Sequence, residues 1–568
     1  MSFFKKFAPI QKLIGLRSWA FLFVLILFSL IFESVGIALI FPILDLIVTE
    51  DIYSKYEFLF NVHPNLINYS KNQLIIIFIS FFLIFFFFRT LYLIFFNIYK
   101  IRFITNIRYL VTQKVFEIYI KKNFIFFTKN EDSKIIRNLT SECSYAVNLM
   151  NQLITLIVES LIVFTIMLML IYVSSTITLI LFLMFGLIFI LIKKFTKKKI
   201  NKLSDIRFQS SAKLLNVIQQ FMSGIKEIII DKKQNFFIEY FKEHNILIND
   251  STRYAQSIQQ IPRYLIEFAV VLFISIFIYL SLKTENTFVS IIPFLGLFTV
   301  SALRILPSIN RIITSLQAIK FGIPAINEVN SIILSENNFK NNVTNVEREN
   351  SLIFKDSIKI KKIKFSYNNL ETLSIEDFLI PKGSVVSIVG ENGSGKTTLI
   401  NILTGLIAAN AGNITIDGKY IGDIKSEWQD IITCIPQEPF LINESIKKNI
   451  ILDKDTKVEE TRFKNAINFA NLNELLEEEK TSKIEVKESG KNFSGGQKQK
   501  ISIARSIYKN SQIIFMDEPT NSLDVQSKQI LINFIKSNKG KITFIIISHD
   551  SDIVDISDKT LNLSKFKK

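Results

Sequence analysis

Up to about residue 310 the chain is a succession of near-uninterrupted apolar runs, several of them about 20 residues long, the length at which a helix crosses a bilayer. Backbone polar groups in lipid must be satisfied within their own segment, so such runs are predicted to be helices. Six spans can be drawn, at about 19–40, 73–96, 153–172, 176–195, 261–282 and 288–305. Beyond them the runs stop. At 568 residues the chain is also too long for one ordinary core, so length and hydropathy both divide it.

Charge follows the same division. The net charge is +17; residues 1–350 hold 36 Lys and Arg against 22 Asp and Glu, and the remainder holds 31 against 28. A basic excess confined to the apolar half fits Lys/Arg-rich cytoplasmic connections and argues against nucleic acid as partner. Lys100, Arg102, Arg108, Lys114, Lys121, Lys122, Lys129, Lys134 and Arg137 lie between the second and third spans, and Lys193, Lys194, Lys197, Lys198 and Lys199 end the fourth. The opposite connections (49–72, 174–175, 283–287) hold few basic residues. Both termini and the second half are therefore expected in the cytoplasm.

The inner connections, about 55 and 65 residues, are too long for turns and keep a helical period, as over 208–222. They are expected to continue the spans as paired helices, with tips at 124–133 and 223–231 placed to touch the second half. The basic start, 1–17, reads as the lead of a retained first helix. Cys143 and Cys434 lie far apart and indicate no disulfide, and His63 and His244 read as solvated surface. The polar, Asn-rich stretch 338–351 is the expected linker between a membrane domain, 1–337, and a second domain, 352–568.

Ionisable residues within spans are costly and are functional candidates by default. Here they are Glu33, Arg89, Glu159, Arg263, Glu267 and Arg304, with Arg311 just beyond the last span. Arg89, Arg263, Arg304 and Arg311 all fall toward the cytoplasmic side, and Arg304 and Arg311 share a helix face across Pro307. Such a cluster suits an anion such as pyrophosphate, because guanidinium stays charged and forks onto phosphate oxygens. The same arginines could instead reach lipid headgroups or pair internally, Arg263 with Glu267 at i+4 being the obvious pair.

The second half carries Gly390-Glu391-Asn392-Gly393-Ser394-Gly395-Lys396-Thr397-Thr398 between a strand-like run and a helix-like stretch. Its backbone N–H groups would cradle ATP phosphates, Lys396 would face the β/γ oxygens, and the Thr397 hydroxyl would ligate Mg²⁺. Tyr367 ends an edge strand, where a ring can stack on adenine. Gln437 follows another strand, and its amide could reach Mg²⁺ or the attacking water. Ser494, Gly495, Gly496 and Gln497 open a helix and offer a second anion site. The apolar strand 513–516 ends in Asp517, suited to Mg²⁺, and Glu518, suited to general base. Asp524 follows, and the strand 543–547 ends at Ser548-His549, a switch able to sense the γ-phosphate.

In this order the motifs resemble those of ATP-binding cassette (ABC) exporters, over essentially the whole chain. The resemblance implies a multidomain chain, an all-α six-helix transmembrane domain followed by an α/β P-loop nucleotide-binding domain. It implies that Tyr367 is the adenine-stacking loop, 493–497 the signature, and Gln437, Asp524 and His549 the loops named for those residues. It also implies a dimer, with ATP between one Walker loop and the other chain's signature. Phe493 stands where Leu is usual and Lys500 where Arg is common, and 485–491 matches the pattern poorly. The stretch 304–315, with Phe88-Arg89 and Ile261-Pro262-Arg263, is similar to the flippases of lipid-linked oligosaccharides in bacterial protein N-glycosylation. Those flippases engage a polyprenyl pyrophosphate through arginines at the positions of Arg89, Arg263, Arg304 and Arg311, and 49–72 would match their short external helix. The expected activity is ATP-driven translocation of such an amphipathic glycolipid across a bacterial inner membrane by a homodimer. Export of peptides, drugs or lipid A-like lipids is the alternative.

Overall fold

A computed structural model describes residues 7–48, 69–173, 175–283, 288–340, 352–367, 370–453, 458–482, 486–487, 490–521 and 523–563. The chain divides into two compact units, Met1–Lys122 with Phe127–Thr344, and Asn123–Phe126 with Asn345–Lys568.

In its described residues the first unit is helical. Its main helices are α1 (Leu16–Ala38), α2 (Lys71–Ile120), α3 (Cys143–Val173), α4 (Ser175–Ser223), α5 (Gln234–Lys283) and α6 (Phe288–Lys340). Each predicted span falls within one of them, except that the first runs past α1 into a second helix, Ile40–Val48. Among the described residues three stretches are long and apolar enough to cross a membrane, Leu16–Ile47, Lys71–Ile120 and Asp132–Tyr172. Only 6% of the apolar window of α2 is buried by protein. A contiguous apolar surface of that extent calls for lipid around it.

Helices α2, α4, α5 and α6 run 49 to 53 residues. At about 1.5 Å per residue each is roughly 75 Å long, more than twice a hydrocarbon layer of about 30 Å. The inner connections are therefore helical extensions, with α4 packed along α5 and α3 along α6. Short segments Phe124–Lys129 and Asp132–Arg137 and a π-helical turn Asn138–Glu142 join α2 to α3, and Ile225–Ile230 lies between α4 and α5.

Helix α6 continues to Lys340, three residues into the stretch expected as linker, and 341–351 lie outside the described residues. One expectation is corrected. His244 is not solvated surface: it is 5% exposed, its ring 5.3 Å from that of Tyr240, with neither ring nitrogen hydrogen-bonded. Its polar neighbours Lys242 and Glu243 are exposed on other faces of α5 while His244 turns inward. His63, most of the expected external segment 49–72, and most of 283–287 lie outside the described residues.

The second unit contains two sheets. One is parallel, in the order β10 (Lys559–Asn562), β4 (Val385–Val389), β9 (Thr543–Ile547), β8 (Ile513–Asp517), β7 (Ile432–Ile435). Its central strands β4, β9 and β8 are largely apolar and buried on both faces, as a helix-covered parallel sheet requires. The other is antiparallel, with β1 (Ser357–Tyr367) central to β2 (Leu370–Ile375), β3 (Phe378–Pro381) and β5 (Ala411–Ile416), and β6 (Lys419–Tyr420) paired on β5. One apolar core joins Phe354, Trp428 and Ile360 to the parallel sheet; the other joins Val385, Phe493 and Phe534.

Candidate functional site

The parallel sheet brings the predicted nucleotide residues to one edge. Ile388 pairs with Ile547, Asp517 with Ile547 and Ile435 with Met516, so the strands end nearly level. Ser548 N–H donates to Ile388 O and Glu518 N–H to Ile547 O, fixing the chain as it leaves the sheet. The Walker loop, Gln437, Asp517-Glu518 and His549 therefore all follow the carboxyl ends of adjacent strands, where open α/β sheets bind ligands.

The loop leaves β4 and enters α7 (Lys396–Leu403) through Gly395, at φ 90°. A Cβ there would lie 2.9 Å from Thr372 O, so both conformation and space demand glycine. Lys396 is 7% exposed, and its ammonium donates to Gly390 O at 2.7 Å and Glu391 O at 3.1 Å. The Ser394 hydroxyl is buried without a hydrogen-bond partner. Thr397 Oγ1 donates to Asp517 Oδ2 at 3.1 Å, joining the two groups expected around Mg²⁺. Burial pushes the Asp517 carboxyl above the usual aspartate range, and the neighbouring Glu518 charge adds to this, against the Thr397 hydrogen bond. A carboxylate kept costly in this way, beside a hydroxyl, fits a divalent cation.

Glu518 has a left-handed backbone, φ 45°, and its Oε2 accepts from Asn521 Nδ2. Gln437 and His549 are exposed. Tyr367 ends β1, paired with Leu370 through the backbone. Ser494 caps α8 (Gly495–Tyr508): its hydroxyl accepts from Gln497 N–H at 3.2 Å, while its own N–H donates to Gln497 Oε1 at 2.8 Å. Asp524 caps α9 (Val525–Asn538) through Ser527 N–H. A Cβ on Gly496 would lie 2.7 Å from Ser527 Oγ, so α8 and α9 meet at these residues. Phe493 is 7% exposed within the core, an apolar filler as the usual leucine would be.

The first unit holds a second candidate, a cavity of about 420 Å³. Arg89, Arg304 and Arg311 line it as expected, with Lys100, Glu33 and Glu159. Arg304 is the hub: Nε and Nη2 donate to the two oxygens of Glu33 at 2.9 and 3.0 Å, and Nη1 lies 3.8 Å from Glu159 Oε2. Arg89 Nη2 reaches Glu33 Oε2 at 2.7 Å, and Arg311 bonds Glu159. Ser308 Oγ accepts from Arg304 at 3.2 Å and donates to Glu159 at 2.7 Å. Arg263 is not brought to this cluster. It is exposed and pairs with Glu267 at 2.8 Å, the helical pairing its spacing allowed. Lys100, read from sequence as a loop charge, faces the cavity and donates to Thr155 Oγ1 at 2.8 Å. Glu33 and Glu159 were visible as ionisable residues within spans, but their part in the cluster was not.

Comparison with known proteins agrees with both halves. Residues 19–302 match the family described as ABC transporter transmembrane region, and residues 373–521 match ABC transporter. The chain belongs to the ABC transporter family, with a transmembrane region of exporter type followed by a nucleotide-binding cassette. It is similar to an ATP-dependent lipid A-core flippase of Haemophilus influenzae, 26% identical over 450 residues, covering 77% of this chain and 74% of that one. A lipid A-core flippase of Desulfotalea psychrophila is 32% identical over 216 residues, and the match spans only 38% of that relative's length. In fold it is like a bacterial Atm1-family ABC exporter solved with ATP bound, at a TM-score of 0.79 and 16% identity, covering 97% of this chain and 94% of that one.

Proposed function

We propose that two copies of this chain use ATP and Mg²⁺ to move an amphipathic, anionic lipid from the inner to the outer leaflet of a bacterial inner membrane, with the cassettes and both termini cytoplasmic. The proposed cargo is a polyprenyl-pyrophosphate-linked oligosaccharide. The observation that carries this reading is the cationic cavity within the apolar helices, where Arg89, Arg304 and Arg311 converge with Lys100. Burying so much charge is expensive unless a partner is to be bound there. The three guanidinium groups suit phosphate oxygens, and the exposed apolar helices suit a lipid tail left in the bilayer.

At the cassette, Lys396 and the loop N–H groups hold the phosphates, Glu518 takes a proton from the attacking water, and His549 and Gln437 sit at the strand ends to sense the γ-phosphate. Thr397, Asp517 and Gln437 would hold Mg²⁺, which neutralises phosphate charge when bound. Tyr367 would stack on adenine, and Ser494 to Gln497 and Asp524 would complete the partner chain's site. The same cavity also suits a lipid A-like lipid, a reading favoured by the flippases to which the chain is similar.

The test is reconstitution in vesicles with three labelled cargoes: a polyprenyl-pyrophosphate glycan, a lipid A-like glycolipid and an uncharged amphipathic peptide. ATP should make the first inaccessible from the cassette side. Movement of the peptide alone would overturn the reading, and preference for the second would transfer it to lipid A-like cargo.

A further inference from the structure

The two carboxylates of the cavity raise a question that the arginines alone do not. A site built only to attract an anion has no use for Glu33 and Glu159, each buried with its side chain 5% exposed. They are not remote counter-ions. Glu33 is held by Arg89 and by both a side nitrogen and the fork of Arg304, and Glu159 by Arg311 and Ser308. Each guanidinium that could face a phosphate is already in contact with a carboxylate. An incoming phosphate must share these donors or displace the glutamates from them.

Charge decides which anions gain by doing so. Among the described lining residues there are four cations, Arg89, Lys100, Arg304 and Arg311, and two carboxylates. With all six charged the cavity keeps an excess of two positive charges. In a low-dielectric enclosure an uncompensated charge costs far more than at a surface, so the ligand whose charge cancels the excess is favoured over neighbours one charge higher or lower. The positions agree with this. Arg89 and Arg304 share one carboxylate, Glu33, and Arg311 is held by Glu159, whereas Lys100 bonds a neutral hydroxyl, Thr155 Oγ1. The positive excess is therefore one charge beside Glu33 and one at Lys100.

We propose that Glu33 and Glu159 set the charge of the head group the cavity accepts, so that it selects a dianion of the pyrophosphate diester kind over a phosphate diester or a terminal pyrophosphate. This rests on the cargo-site reading above. Glu33 and Glu159 act as specificity-determining residues: they cancel part of the cationic field in advance, leaving what a diester of pyrophosphate neutralises.

The experiment uses the full-length protein in lipid nanodiscs and three probes sharing a farnesyl tail: farnesyl-phosphoryl-glucose (a monoanion), farnesyl-pyrophosphoryl-N-acetylglucosamine (a dianion) and farnesyl diphosphate (a trianion). Affinities are read by competition with the labelled dianion. The wild type should prefer the dianion. Glu159→Gln should shift the dianion-to-trianion ratio by about tenfold toward the trianion, and Lys100→Gln should shift preference toward the monoanion. Glu159→Asp, which keeps the charge, should keep the wild-type order and so separates charge from loss of packing. Unchanged ratios in Glu159→Gln and Lys100→Gln, with anions still bound, would overturn charge selection and leave the cargo site standing. Failure of the wild type to bind any of the three would overturn the cargo site itself, and this proposal with it.

Discussion

Asp517 and Glu518 are adjacent in sequence, yet the fold treats them differently. Asp517 is raised by burial and meets Thr397, while Glu518 turns away in a left-handed backbone and meets Asn521. Glu518→Gln keeps size and hydrogen bonding but cannot take a proton. ATP binding should persist and turnover should fall by about a hundredfold or more, measured as phosphate release; unchanged turnover would remove Glu518 as base. Asp517→Asn should abolish Mg²⁺-dependent hydrolysis without lowering the unfolding midpoint of nucleotide-free protein at pH 7. The sign follows from the shift: a carboxyl raised in the fold costs stability above its ordinary value near 3.8, a cost relieved as pH falls toward that value and removed by asparagine. A midpoint clearly below wild type would contradict this. The cassette residues were legible because motif order and strand ends are local in sequence. The cavity was legible only in part. The arginines announce themselves inside apolar runs, but Glu33 meets Arg89 across 56 residues and Arg304 across 271, pairings that no local spacing encodes.

At the scale of elements, α8 and α9 of the cassette meet in close contact. Gly496 lies at the capped start of α8, against Ser527 in the first turn of α9. Gly496→Ala should destabilise the cassette by about 1–3 kcal/mol through overpacking. Adding Ser527→Ala, which removes the nearest atom, should recover part of that loss in thermal unfolding; additive losses would show that the contact is not the cause. The cap at Ser494 was foreseen as an anion site, but the clasp between its glycine and α9 was not, because a glycine in a motif does not reveal what approaches it. Helical inner connections were legible from their period. The inward turn of His244 was not, since it depends on which face of α5 meets the rest of the bundle.

At the scale of the molecule, the proposed function has the ATP site completed by a second copy of this chain. In a Cys143→Ser, Cys434→Ser background, cysteines placed at Ser394 and Ser494 should form cross-links between chains in the presence of ATP, read as dimer on a denaturing gel. Purely intrachain products would contradict a shared site. The division into an apolar helical half and an α/β half was plain in the sequence, because bilayer-length apolar runs and a buried parallel sheet impose different patterns. Cargo identity was not, because it depends on groups gathered from several helices. The most direct measurement is the initial rate at which a labelled polyprenyl-pyrophosphate glycan becomes protected in ATP-supplied proteoliposomes, compared among wild type, Glu518→Gln and Arg304→Gln. Protection by wild type alone is the predicted result; equal rates in all three would contradict the claim that the cassette drives an anionic lipid through the arginine-lined cavity.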